Sequence, residues 1–104
     1  MVRLILTTFS SEHDAARIVR TLVEEKLAAC GTILPGAHSI YFWDGKLEQN
    51  QETCVLLKTS LERSTELATR LQTLHPYETP EIITLDPTAV SGEYERWVMK
   101  NCLP

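Results

Sequence analysis

The sequence predicts an α+β chain of ferredoxin-like βαββαβ order, with an extended β-hairpin arm and a C-terminal helix. Three observations carry that expectation. A strand-like apolar run is followed at once by helical periodicity, an Asp-Gly turn joins two long strand-like runs, and a second helical stretch leads through a proline-bracketed crossing to another strand-like run. One antiparallel sheet with both crossover helices on one face satisfies this order most economically. Right-handed crossovers then set the first and third strands side by side in the middle, with the second and fourth at the edges.

Taken in order, "VRLILTTF" (Val2 to Phe9) is rich in strand formers, and Ala15, Ile18, Val19, Leu22 and Val23 recur at helical spacing after it. Ser11-x-x-Asp14 places a capping hydroxyl and a carboxylate where orphan N–H groups and the helix dipole favour them, so the first helix starts near Ser11. From Cys30 onward, Asp44-Gly45 sits between two strand-like runs and matches a two-residue hairpin turn that requires positive φ. Pro35-Gly36 interrupts the first run, because proline supplies no ladder donor and glycine tolerates a bend. Thr59-x-x-Glu62 reads as the cap of a second helix with Leu67, Leu71 and Leu74 on one stripe, ending near Leu74. "EIITL" is the last strand. "SGEYERWVMKNC" is a short helix presenting Tyr94, Trp97 and Val98 together, with Tyr94 and Trp97 expected to seat it.

The chain of 104 residues is expected to form a single domain, 1–104, with neither linker nor repeat. A hydrophobic content of 43% with 23% charge excludes a disordered chain. Ten basic against fourteen acidic residues, a formal charge of -4, and no Lys/Arg cluster argue against nucleic acid as a partner. The apolar N-terminal run is too short for a membrane span and lacks a small-residue cleavage site, so the expectation is a cytoplasmic protein without a membrane partner. Cys30, Cys54 and Cys102 are widely spaced and contain no CxxC pair, which fits reduced thiols better than a disulfide framework or a zinc knuckle. Of the three, Cys102 is expected to be the most accessible.

The third strand, Lys46 to Lys58, spans about 40 Å at roughly 3.3 Å per residue, against a radius of gyration of about 13 Å for a compact domain of this size. The hairpin tip therefore projects beyond its own core, while carrying Ile40, Tyr41, Phe42 and Trp43 in a row. Either a bulge shortens the arm or the arm packs on a neighbouring subunit of a symmetric oligomer.

The segments "EEKLAAC", "ILPGAHSIYFWDGKLEQ", "LLKTS" and "LHPYETPEI", in this order and over most of the chain, closely resemble the CutA family of divalent-cation tolerance proteins. The resemblance implies a ferredoxin-like subunit in a tight homotrimer, with the hairpin reaching across to its neighbours, and an architectural kinship with the trimeric PII signalling proteins. It also implies a link to copper tolerance and Cu(II) binding, which a bacterial member is thought to achieve through a first-strand cysteine and a histidine pair before Pro-Tyr. Thr7 stands at the cysteine position and Leu74 at the first histidine, so only His75 remains, and a metal site has to recruit other groups.

His75 precedes Pro76 and emerges where the second helix ends. Its two readings are a cap or loop hydrogen bond and a metal ligand, the latter with Cys30, Glu78 or symmetry-related groups. His13 and His38 make no ligand spacing with it. Cys30 is either a small buried thiol or a metal ligand. Trp43, Glu52, Lys58, Tyr77 and Glu78, with Cys30 and His75, suggest an inter-subunit ligand pocket; the alternative is a Lys58–Glu52 ion pair with Trp43 and Tyr77 as interface core. No catalytic motif or convergent nucleophile and base is present in the sequence, so the expectation is a non-enzymatic trimer that requires no cofactor and has a possible site for Cu(II) or another divalent cation. The alternatives are a PII-like sensor of a small molecule or anion, and a stable trimeric scaffold.

Overall fold

Four antiparallel strands in the order β2-β3-β1-β4 form the sheet, with β1 and β3 in the middle as the right-handed crossovers require. The structure is a computed structural model that describes residues 1–103. Its elements are β1 (Val2–Phe9), α1 (Glu12–Glu24), β2 (Cys30–Trp43), β3 (Lys46–Ser60), α2 (Leu61–Leu74), β4 (Ile82–Leu85) and α3 (Gly92–Asn101).

Alternation along the strands divides the sheet into two faces. Ile5, Phe9, Val55 and Leu57 point toward α1 and α2 and are fully buried with Ile18, Leu22, Leu67 and Leu71. Gly31 lets α1 come close: a Cβ there would lie 2.6 Å from Cγ1 of Val19 and 3.0 Å from Cδ2 of Leu57. The opposite face carries Leu4, Leu6, Leu34, Leu56, Ile83 and Leu85, which share register positions across the four strands. At one end of this face α3 buries Val98 against Val2, Leu4 and Ala29; the rest is uncovered.

The two crossover helices, α1 and α2, are each capped by a serine hydroxyl. Ser11 Oγ accepts the Asp14 N–H at 3.0 Å, as expected. For α2 the cap is Ser60 rather than Thr59, accepting the Arg63 N–H at 3.2 Å. Thr59 is still part of β3, and its buried hydroxyl donates to the Leu27 carbonyl at 2.6 Å, so it is not available as a cap. Cys102 is also corrected: it is 2% exposed, packed against Val98 and Ala29, and burial pushes its thiol pKa up. The third helix is seated by Val98, whereas Tyr94 and Trp97 stack on each other at 5.8 Å and stay substantially exposed.

The β2-β3 hairpin is the arm. Asp44 and Gly45 both have positive φ, 50° and 74°, the backbone a type I′ turn needs. The register shifts between Leu34 and Ala37, where Pro35 and Gly36 (φ 82°) form a bulge. The bulge does not shorten the arm, and the molecule measures 44 × 26 × 21 Å. Ile40, Phe42 and Trp43 are 62%, 73% and 58% exposed near its tip.

Candidate functional site, an acidic cleft at the base of the arm

The segment from His75 to Glu81 is fastened to the sheet by a chain of contacts. The His75 N–H closes the last turn of α2 on the Leu71 carbonyl, and the backbone then becomes extended ahead of Pro76. The His75 ring stacks on Phe9 with centroids 4.4 Å apart. Its Nε2–H donates to the Thr8 carbonyl at 2.8 Å, and its Nδ1 accepts the Tyr77 N–H at 3.1 Å. A carbonyl only accepts and an amide N–H only donates, so these two bonds together select the neutral Nε2–H tautomer. Burial pushes the His75 pKa below the ordinary histidine value, outweighing the opposing pull of the Thr8 carbonyl and the Glu52 charge.

The Tyr77 ring leans on His75, and its hydroxyl donates to Glu52 Oε2 at 3.0 Å. Burial first, and the Glu52 carboxylate second, push the Tyr77 pKa up to about 12. Tyr77 thereby joins the α2-β4 loop to the base of the arm. Between that loop and the arm lies a cleft of about 920 Å³. Tyr41, Trp43 and Tyr77 supply its aromatic wall, and Glu48, Glu52, Glu78 and Glu81 supply its charge; no Lys or Arg lines it. The Cys54 thiol feels the same field, its pKa being pushed up by burial and then by Glu81 and Glu52.

A second cluster sits at the other end of the open face. Cys30 is paired across β2-β3 with Lys58, whose Nζ lies 3.6 Å from its Sγ and also donates to the Thr32 hydroxyl. The Tyr94 hydroxyl adjoins the Cys30 thiol, and its pKa is pushed up by burial and by that neighbour.

Comparison with known proteins places these features in a family. The family model described as "CutA1 divalent ion tolerance protein" matches residues 3–101. The chain belongs to the CutA1 family. It is 42% identical over 101 residues to the divalent-cation tolerance protein CutA of Thermus thermophilus, covering 97% of this chain and 98% of that one. The CutA of Pectobacterium atrosepticum is 41% identical over 95 residues, 91% of this chain and 86% of its own. Among solved structures, CutA1 from Ehrlichia chaffeensis superposes with a TM-score of 0.95 at 35% identity, covering 99% of this chain and 96% of that chain. An Archaeoglobus fulgidus relative described as a periplasmic divalent cation tolerance protein gives 0.94 at 32% identity, covering 99% of this chain and 100% of its own.

Within this CutA1 chain the expected site residues separate into two groups. Trp43, Glu52, Tyr77 and Glu78 all line the cleft, which runs along the arm: Trp43, paired with Lys46, lies about 20 Å along the strand from Glu52, and His75 is directly beneath Tyr77. Lys58 and Cys30 do not line it. Thr8, which holds His75, is paired with Cys54, four residues along β3 from Lys58, so Cys30 and His75 are separated by about 13 Å of strand. The alternative Lys58–Glu52 ion pair does not form within a protomer either: six positions on one strand separate them by about 20 Å, and Glu52 is bonded to Tyr77. Thr7, at the family's cysteine position, is fully buried on the helix-covered side. Leu74 packs against the core. Among the described residues, no three His, Cys, Asp or Glu side chains converge as a metal-binding set.

Tyr41, Glu48 and Glu81 also line the cleft and were not among the sequence candidates. Two of them were within reach of the sequence. A turn at Asp44-Gly45 pairs Tyr41 with Glu48, and period two puts Glu48 on the face of Glu52. Glu81 offered no such signal, because its position depends on the path of the loop.

Proposed function

We propose that the protein works as a non-enzymatic homotrimer in divalent-cation tolerance, binding Cu(II) or a related divalent ion weakly. The observation that carries this reading is the uncovered apolar surface. Leu34, Ile83 and Leu85 on the open sheet face are 47%, 44% and 40% exposed, and the arm adds Ile40, Phe42 and Trp43. Such a surface on a twisted sheet with a projecting hairpin is matched by copies of itself, through strand pairing and apolar packing around a closed symmetry axis. The relatives named for divalent-cation tolerance supply the biological role.

Weak metal binding is consistent with the state of His75. Both ring nitrogens are already engaged, so a metal at Nδ1 displaces the Tyr77 N–H, and further ligands come from Glu78 or from neighbouring protomers, a neighbour's Cys30 among them. A cytoplasmic location is supported by three free cysteines, although one relative is described as periplasmic. The alternative reading is a PII-like sensor of a small molecule or anion in inter-subunit clefts, which for an anion would rely on Lys58 or Arg side chains.

Sedimentation at micromolar protomer concentration tests the assembly, and a monomer overturns it. Calorimetric titration with Cu(II) and Zn(II), on the wild type and on His75→Ala and Cys30→Ser, tests the metal. Weak binding that diminishes in either variant and fades on acidification is expected. Binding unchanged in both variants removes those residues from the site.

A further inference from the structure

Along β3 the open sheet face is polarised. Glu52, Cys54, Leu56 and Lys58 alternate with the buried Thr53, Val55, Leu57 and Thr59, so all four project from the side that carries Leu34, Ile83 and Leu85. Glu52 stands at the arm end of this row and Lys58 at the α3 end, six positions or about 20 Å apart, with apolar side chains between them. Neither charge meets an opposite charge in its own chain. Lys58 Nζ reaches the Thr32 hydroxyl and, at 3.6 Å, Cys30 Sγ, while Glu52 accepts from the Tyr77 hydroxyl at 3.0 Å. The ion pairs among the described residues are Arg3–Asp86, Arg17–Asp14, Arg63–Glu66 and Arg70–Glu25.

Packing of one copy on another over Leu34, Leu56, Ile83 and Leu85 takes the charges at both ends of the row partly out of water. That is costly unless each meets an opposite charge. Copies stacked with like ends together set Lys58 against Lys58 and Glu52 against Glu52, whereas copies stacked with unlike ends together satisfy both.

We propose that each protomer docks the α3 end of its open face on the arm base of the next, with Lys58 of one copy paired to Glu52 of its neighbour. The contact rests on the trimer reading above and fixes its register. In a closed ring of three, each protomer gives its Lys58 to one neighbour and its Glu52 to the other, so no end is left unpaired. The site at the base of the arm is then completed by a second copy: Glu52 and Tyr77 come from one protomer, Lys58 and the adjoining Cys30 from the next. This brings a neighbour's Cys30 to the side of Tyr77 and His75, which no contact within one chain achieves.

Carbodiimide coupling of the full chain in its native assembly tests the contact, because this reagent joins an amine to a carboxylate only where the two touch. Lys58 and Glu52 of one chain are too far apart to react, so a peptide joining them in the mass spectrum comes from two copies. That peptide is expected, with covalent dimers and trimers on a denaturing gel. Coupling that stops at dimers overturns the ring, and an assembly that yields no such peptide overturns the contact. Charge reversal gives a second readout. Lys58→Glu and Glu52→Lys should each weaken association at least about tenfold, read by sedimentation over a dilution series in sub-denaturing urea, and the double variant Lys58→Glu/Glu52→Lys should recover most of that loss. Should the reversals fail to fold, Lys58→Gln should still remove the peptide and weaken association. A double variant no better than the singles, or Lys58→Gln associating as the wild type does, overturns the pairing while leaving the trimer intact. A wild type that sediments as a monomer overturns the trimer reading itself, so the two failures are distinguishable.

Discussion

On the helix-covered side of the sheet Ile5, Phe9, Val55 and Leu57 are fully buried, whereas on the open side Leu34, Ile83 and Leu85 remain 40–47% exposed. The residue types are nearly the same. What differs is the company each face keeps: α1 and α2 lie across the first, and only the short α3 covers one end of the second. Apolar character on both faces of an antiparallel sheet is unusual for a subunit that stands alone, since one face then normally turns polar toward water. The comparison teaches that the covered face holds the core of the chain, while the open face and the arm are left as the apolar surface that the proposed assembly would use.

Four substitutions sharpen or break that division, beginning with the largest effect. Phe9→Ala removes a fully buried ring that also stacks on His75, and should lower unfolding stability by about 3–5 kcal/mol in denaturant titrations at matched protomer concentration. A loss below about 1 kcal/mol would mean that the covered face is not the main core. Gly31→Ala drives a methyl into Val19 and Leu57, and a cost of about 1–3 kcal/mol is expected; a neutral outcome would show that α1 can move away freely.

His75 gives a pH-dependent effect. Its folded pKa is depressed, so its contribution to stability is fully present above the ordinary histidine value and is lost as pH falls through the folded one. The wild type should therefore lose stability between about pH 7 and pH 5 more steeply than His75→Gln does. Identical slopes would indicate that the ring is not held neutral by burial. The smallest effect on the protomer is expected for Phe42→Ser, at a side chain 73% exposed. Its stability cost should stay within about 0.5 kcal/mol in a monomeric state, while the sedimenting mass of the assembly falls. An unchanged mass would place the arm outside the interface.

Much of this was legible in the sequence because it depends on neighbours along the chain. Positive φ at Asp44-Gly45, the interruption at Pro35-Gly36, the cap at Ser11 and the stripe of Leu67 and Leu71 are each encoded within a few residues. The pocket expected from the sequence lies between subunits; within one chain Trp43, Glu52, Tyr77 and Glu78 line one cleft, and Lys58 and Cys30 lie at the far end of the same strand pair. Strand register, rather than residue type, separates them.

By itself, then, the sequence determined the order of the elements, the strand order and the projecting arm, because periodicity, turn chemistry and the rise per residue are local quantities. Only the tertiary structure decided that Thr59 spends its hydroxyl on Leu27 and leaves Ser60 to cap α2, that Cys102 is buried, and that both nitrogens of His75 are engaged. It alone brought four glutamates and three aromatic rings around one cleft. Each of those outcomes depends on which distant segments come within hydrogen-bonding or van der Waals reach, and that is set by packing of the whole sheet.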